Sequence, residues 1–227
     1  MFFGLFNSKA QATPEQDFWT WFSKNDDALF HFEKNQEKVF DALAAEMKKV
    51  DSSLTFEFGP VKNNQREFVI SADGIKSSFP AVERLFAAAP KSDHWIFVKF
   101  RPRRTPMDIE YSGVKVKASD VFYTIEPDKD NAGITVYIQG LVPDKIKIYS
   151  GIAFLTLDQA LGEYDMETKV GFVQTKSFSE PSILEKQPIK NIAQNFDVFW
   201  KAQSEKAKQP PETKIPPALP GNTSAGK

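Results

Sequence analysis

The chain has 227 residues, of which 41% are hydrophobic, and its formal net charge is −1 because 29 lysines and arginines nearly balance 30 aspartates and glutamates. This length and apolar content suffice for one large domain or two small ones, whereas the near-neutral charge argues against a nucleic-acid partner, which a large positive field would attract. The chain has no cysteine, which excludes disulfides, thiol nucleophiles and thiolate metal sites.

The two ends of the chain predict flexible segments. Residues 1–12 contain an apolar run that lacks a positively charged leader and is too short for the core of a signal peptide, and we expect a flexible N-terminus. Residues 205–227 carry five prolines and are predicted to form a disordered, proline-rich tail. Because no stretch approaches the length of a transmembrane helix, we expect a cytoplasmic protein with no membrane partner.

The first half of the globular region begins with helices. Thr13, Pro14 and Gln16 form the capping box of a helix start, and apolar residues at helical spacing predict a second helix from Asn25 or Asp26 to about residue 50. The elements predicted next are a strand over 54–58, a strand over 68–70, a short helix capped by Ser78, and a central strand over 95–100.

The second half repeats this pattern after two short strands around Gly113. The elements predicted there are a hairpin of strands 121–126 and 134–138, a nearly all-apolar helix over 145–161 ending at Gly162, an extended segment over 163–174, and a last helix from Pro188. We therefore predict an α+β fold with two hairpin–helix–strand (ββαβ) units around mixed β-sheet, and with N-terminal and C-terminal packing helices. The globular region is expected to span 13–204, with halves 13–104 and 105–204, which form either one sheet or two.

A run of arginines follows the strand predicted over 95–100. A strand–helix–strand crossover within one sheet makes the strands parallel, so their carboxyl ends meet at one edge, where ligands tend to bind. The start of the intervening helix offers free N–H groups and a partial positive charge there, and arginine donates in pairs to phosphate or carboxylate. The sequence therefore predicts an anion-binding site formed by Lys76, Ser77, Ser78, Arg101, Arg103 and Arg104. The alternative interpretation is that these arginines pair with acids of the same chain, such as Asp73, Asp108 and Glu110.

A second hypothesis concerns acids in the predicted extended segment. On a strand, Glu163, Asp165 and Glu167 would point to one face, where they could bind Mg²⁺ or Ca²⁺ or supply a general base. A solvated face, or pairing with Lys115 and Lys117, explains the same alternation. Neither histidine has a second histidine or a cysteine at ligand spacing, and we expect no cofactor and no metal outside this weaker alternative.

Three segments resemble an uncharacterised bacterial protein family of unknown function. They are Phe56-Glu57-Phe58-Gly59-Pro60, Lys99-Phe100-Arg101-Pro102-Arg103-Arg104 and Leu161-Gly162-Glu163-Tyr164-Asp165-Met166-Glu167-Thr168-Lys169-Val170-Gly171-Phe172. The resemblance covers roughly residues 15–175 and implies no catalytic residues and no activity.

Two functions are compatible with these patterns. The first is a non-enzymatic binding or interaction protein, for which 21 phenylalanines and an aromatic N-terminal helix supply anchors for a protein partner or for self-association. The second is an enzyme or sensor for an anionic small molecule bound at the edge formed by Arg101–Arg104. The sequence has no glycine-rich phosphate loop and no Gly-x-Ser-x-Gly motif, which favours the first. An apolar-walled pocket at the arginine edge would favour the second.

Overall fold

A computed structural model describes residues 11–207 and has the predicted α+β fold. The helices of these residues are α1 (Pro14–Lys24), α2 (Asp26–Phe30), α3 (Gln36–Val50), α4 (Phe79–Ala87), α5 (Ile146–Leu161), α6 (Glu163–Lys169) and α7 (Ile192–Ala207). The strands are β1 (Thr55–Phe58), β2 (Arg66–Ser71), β3 (Trp95–Lys99), β4 (Ile109–Tyr111), β5 (Val114–Val116), β6 (Val121–Asp128), β7 (Asn131–Ile138), β8 (Val170–Ser177) and β9 (Gln187–Pro188). None of the helices in this range has the length and apolar character that crossing a bilayer requires.

The first ββαβ unit, which we call the first unit, consists of β1, β2, α4 and β3. Its sheet has the order β1-β2-β3, with β1 antiparallel and β3 parallel to β2, as the crossover predicts. The strand β3 is at the edge of this sheet, so the prediction of a central strand is wrong. The strand is apolar on both faces, but only one face is covered. Trp95 packs in the core beneath the helices, whereas Ile96 on the opposite face is 43% exposed.

Aromatic side chains fill the layer between this sheet and its helices. The face that carries Phe68 and Ile70 is covered by α1, α3 and α4. Around the ring of Phe68, the rings of Phe22 and Phe58 lie with centroids 5.0 and 5.4 Å away. The predicted capping box of α1 is present, with Thr13 accepting from the backbone N–H of Gln16. The N-terminal helix therefore serves as part of the core of the first unit.

The helix predicted from residue 25 to residue 50 is interrupted, which corrects that prediction. It consists of α2, a 3₁₀ turn at Phe32–Lys34 and α3. The break brings Glu33 and the ring of Phe32 onto the guanidinium of Arg66, which is 4% exposed and lies 4.5 Å from that ring centroid. A buried arginine requires a carboxylate partner, and the turn places Glu33 against Arg66 at the start of β2.

The second unit consists of β6, β7, α5, α6 and β8, and it has a sheet of its own. The strand order is β8-β7-β6-β9, with β7 parallel to β8, and α5 and α7 pack on one face. One backbone hydrogen bond is the same in both units: Phe100 N–H donates to Ile70 O over 2.7 Å, and Phe178 N–H donates to Ile138 O over 3.0 Å. The two predicted ββαβ units therefore form two separate sheets of related topology.

Two predicted boundaries are wrong in the second unit. Residues 163–169 form α6, and only the residues from Val170 onward are extended. Glu163 and Met166, three residues apart, are both buried, which is a helical rather than a strand period. The predicted tail begins too early, because α7 continues through residues 205–207. The rest of that tail and residues 1–10 lie outside the described residues.

Gly162 joins α5 to α6 at the point where the two units meet. Its backbone angles are φ 75° and ψ 156°, a conformation that essentially only glycine adopts. A Cβ atom at this position would lie 2.9 Å from Arg101 O and 3.0 Å from Arg103 N. Both atoms belong to backbone, which has little room to move, so the contact between the units depends on the missing side chain.

We predict that Gly162→Ala lowers the free energy of unfolding by about 3 kcal/mol or more, since it adds a backbone clash to the cost of a disfavoured conformation. The matched control is Gly113→Ala, because Gly113 has φ 74° but a Cβ added there would have no atom within 4 Å. That control should lose about 1–2 kcal/mol. Urea denaturation of both variants measures the difference, and equal losses would contradict the close contact.

Candidate functional site

The carboxylate of Glu163 lies at the edge where the anion site was predicted. One of its oxygens accepts the backbone N–H groups of Ala72, over 2.9 Å, and Gly74, over 3.0 Å. The other accepts the N–H of Arg101 over 3.0 Å. The Glu163 side chain is fully buried, and its own N–H donates to Arg101 O. The loops that follow β2 and β3 therefore do form an anion-binding pocket, and its anion is a side chain of the second unit.

Arg101 ties both units together through its side chain. Its guanidinium donates to Asp158 of α5 over 3.0 Å, and to Ser71 and Asp73 of the first unit over 3.0 Å each. Burial alone would lower the pKa of Arg101, but its hydrogen bonds and proximity to Asp158, with Glu163 and Asp73 adding to them, raise that pKa above the ordinary value. This guanidinium is therefore a permanent cation that already has its carboxylates.

The other two arginines are also paired with acids of the chain. Arg103 donates to Asp197 over 2.8–2.9 Å, to Asp165, and to the carbonyl of Leu161. Arg104 donates to Glu67 of β2. The predicted pairing with an acid of the same chain is therefore present between Arg101 and Asp73. The other acids that pair with the arginines lie far from them in the sequence.

The partners named from sequence proximity have other contacts. Asp108 accepts the N–H of Ala118, and Glu110 lies opposite Lys115 in the β4–β5 hairpin.

The predicted residues at the start of α4 do not join the arginines. Ser78 is buried and its hydroxyl donates to Asp51, so it does not cap α4 through its side chain. Ser77 and Lys76 are exposed, and neither lines the two cavities at this edge. Burial raises the pKa of Glu167, and the nearby charge of Lys76 opposes that rise.

The metal hypothesis depended on a strand that is not there. On the helix α6, Glu163 and Glu167 are one turn apart, whereas Asp165 projects from another side and pairs with Arg103 and Lys169. Glu163 is committed to backbone N–H groups. Within the part of the chain that the structure describes, no three acidic, histidine or cysteine side chains are grouped to hold a metal ion.

A cleft of about 890 Å³ opens between the two units beside Arg101. It is lined by β1, by the loops after β2 and β3, by β4, and by α5 and α6. Its apolar wall consists of the side chains of Pro102, Met107, Ile109, Phe154 and Leu155. The discriminating feature expected from sequence, an apolar-walled pocket at the arginine edge, is therefore present.

The charges in this cleft are predominantly negative. Four carboxyls line it, from Glu57, Asp73, Asp158 and Glu167, against two arginines, Arg101 and Arg104. Burial raises the pKa of Glu57, although Arg101 and Arg104 oppose the rise. Burial likewise raises the pKa of Glu167, with Lys76 opposing it and Asp158 adding to it. Both carboxyls line the cleft beside Arg101, but the Glu57 side chain is 52% exposed, so solvent offsets part of this effect of burial.

A smaller cavity of about 370 Å³ lies on the other side of the Arg101–Arg103 backbone. Lys99, Arg103 and Asp165 line it, together with the half-exposed ring of Tyr164. Arg103 is already held by Asp165 and Asp197, and Lys99 by Glu83. The larger cleft is thus the better candidate for a ligand.

The sequence predictions named Asp73, Arg101, Arg104 and Glu167 of this cleft but not Glu57, Asp158 or its apolar side chains. Asp158 and Gln159 interrupt an otherwise apolar helix just before Gly162, and this was the signal that could have marked them. Glu57 sits on an ordinary alternating strand, and no local pattern distinguishes it.

Comparisons with known proteins give no information about function. No family model, no curated protein and no solved structure matches the chain. The resemblance to a bacterial family stays a prediction.

Proposed function

We propose that the protein is a non-enzymatic, cytoplasmic binding protein that holds a cationic group with an apolar portion in the cleft between its two units. The observation that carries this proposal is the composition of the cleft, in which four carboxyls outnumber two arginines beside an apolar wall. Convergent polar groups in an apolar-walled cleft are typical of a binding site.

The charge expected for the ligand depends on which charged side chains of the cleft already have a partner. Arg101 pairs with Asp158 and Asp73, and Arg104 pairs with Glu67 outside the cleft lining. Glu57 lies 4.0 Å from Arg101 at its nearest, and Glu167 faces the cleft with a raised pKa. A cation placed between them would relieve the cost of their partial burial, since an opposite charge nearby favours the ionised form.

An anionic ligand is the less favoured alternative at this edge. It would have to displace Asp158 or Asp73 from Arg101, or Glu163 from its three N–H donors. Removing a partner from a partly buried ion pair leaves an uncompensated charge, which is strongly unfavourable. The cleft would also repel an anion through the carboxyls of Glu57 and Glu167.

We predict that butylammonium chloride raises the melting temperature, whereas sodium chloride and sodium phosphate at matched ionic strength do not. A ligand at about ten times its dissociation constant adds about 1.4 kcal/mol, which is about 3–6 °C in a chain of this size. Glu57→Gln and Glu167→Gln should each weaken this binding at least threefold, because each removes one carboxylate and keeps the side-chain shape.

The matched control for these variants is Glu126→Gln, which changes an exposed glutamate of β6 outside the cleft. It should bind butylammonium like the unchanged protein. Stabilisation by phosphate that exceeds stabilisation by butylammonium would overturn the proposal in favour of an anion site.

We also predict that butylammonium affinity rises with pH through a transition above pH 4.5, the ordinary glutamate value. The raised pKa means that the folded protein holds these protons more tightly than the unfolded chain. The protonated forms of Glu57 and Glu167 therefore contribute to the free energy of unfolding at low pH, and this contribution is lost as pH rises through the folded-state pKa. The cation binds the ionised form, so its affinity has the opposite slope. Calorimetric titration across this range measures the slope, and affinity that is highest at the acidic end would contradict it.

A further inference from the structure

We infer that the partner recognised at this cleft is a protein segment with alternating or clustered basic and apolar side chains, rather than a free small amine. This inference rests on the proposed function for the sign of the charge. It adds the apolar surface around the cleft, which a small cation would leave uncovered.

The outer side of α5 is unusually apolar for a surface helix. One side of α5 packs on the second sheet through residues such as Ile152 and Leu157, which are fully buried. On the opposite side, Phe154 is 43% exposed and Leu155 is 42% exposed, and both line the cleft. A helix that is apolar on both sides is normally covered on both.

Neighbouring elements extend this apolar surface. Met107, 62% exposed, lines the same cleft, and its N–H is held by the side chain of Gln159 on α5. The half-exposed ring of Tyr111 packs over Gly151 of α5, where an added Cβ atom would lie 3.0 Å from the ring. We define the apolar rim as Met107, Tyr111, Phe154 and Leu155. A contiguous exposed apolar surface bordered by charges is typical of a protein-interaction site.

Charge complementarity selects the occupant. Glu57 and Glu167 present carboxylates next to the apolar rim, so a partner must offer positive and apolar groups a few ångströms apart. A segment in which lysine or arginine stands beside leucine or phenylalanine offers both kinds of group. Such a segment of about six residues spans about 20 Å when extended. An anionic membrane surface would be repelled by the same carboxylates, and the concave shape of the cleft suits an inserted chain.

The test compares three N-acetylated, C-amidated peptides of about six residues by fluorescence anisotropy: alternating lysine and leucine, alternating lysine and serine, and alternating glutamate and leucine. We expect the lysine–leucine peptide to bind at least tenfold more tightly than either of the others. Equal binding of the lysine–leucine and lysine–serine peptides would overturn the inference, since the apolar rim would then contribute nothing.

Variants separate this inference from the proposed function. Tyr111→Ser, at the rim position that does not line the cleft, should weaken the lysine–leucine peptide at least fivefold while leaving butylammonium affinity within twofold. Phe154→Ser should weaken both ligands, because Phe154 lines the cleft. Val198→Ser, at an exposed apolar position of α7 outside the rim, is the matched control and should change neither. Loss of butylammonium binding in the unchanged protein would defeat the proposed function itself. Intact butylammonium binding with unaltered peptide affinity in Tyr111→Ser would defeat only the peptide inference.

Discussion

The buried carboxylate of Glu163, held by three backbone N–H groups of the first unit, is the contact around which the two units are arranged. The donors belong to the loops that leave β2 and β3, and the acceptor begins α6 of the second unit. A buried charge is tolerated only when hydrogen bonds replace its lost water, so this geometry permits little displacement. Gly162 makes the contact feasible by letting the backbone of α5 and α6 pass against Arg101 and Arg103.

The cleft is a consequence of this arrangement. With Glu163 fixed, Arg101 reaches Asp158 of α5 and Asp73 of the first unit, and the chain from Arg101 to Met107 is bonded along α5 through Gln159. The cleft opens beside this segment of backbone, which supplies Arg101, Arg104 and Met107 to its lining. Arg101 and Arg104 of this segment are already paired with acids of the chain, which is why we propose a cationic rather than an anionic ligand for the cleft.

Much of the fold follows from local patterns in the sequence. The capping box at Thr13 and the two ββαβ units depend on residue spacing within short windows, and the parallel pairing of β2 with β3 follows from crossover geometry. The meeting of the loops after β2 and β3 at one edge was predicted for the same reason. These features need no information about which distant residues come together.

The features that sequence reasoning missed all depend on contacts between distant residues. The acids of α6 alternate as they would on a strand, and the contacts of Glu163 with Ala72 and Gly74, some 90 residues away, are not visible in that local pattern. The break between α2 and α3 places Glu33 against Arg66, and the anion in the predicted pocket comes from the other unit. An arginine run indicates that carboxylates are near, but it does not indicate whether they belong to a ligand or to the chain.

The most direct test of this account is the free energy of unfolding of Glu163→Gln, measured by urea denaturation beside Glu167→Gln. Glutamine offers one acceptor oxygen where Glu163 uses two, so at least one buried N–H must lose its partner. We expect a loss of about 2–4 kcal/mol for Glu163→Gln. Glu167→Gln, one turn further along α6 and partly exposed, should change stability by less than about 0.5 kcal/mol. A Glu163→Gln variant as stable as its neighbour would contradict the central role of the Glu163 carboxylate.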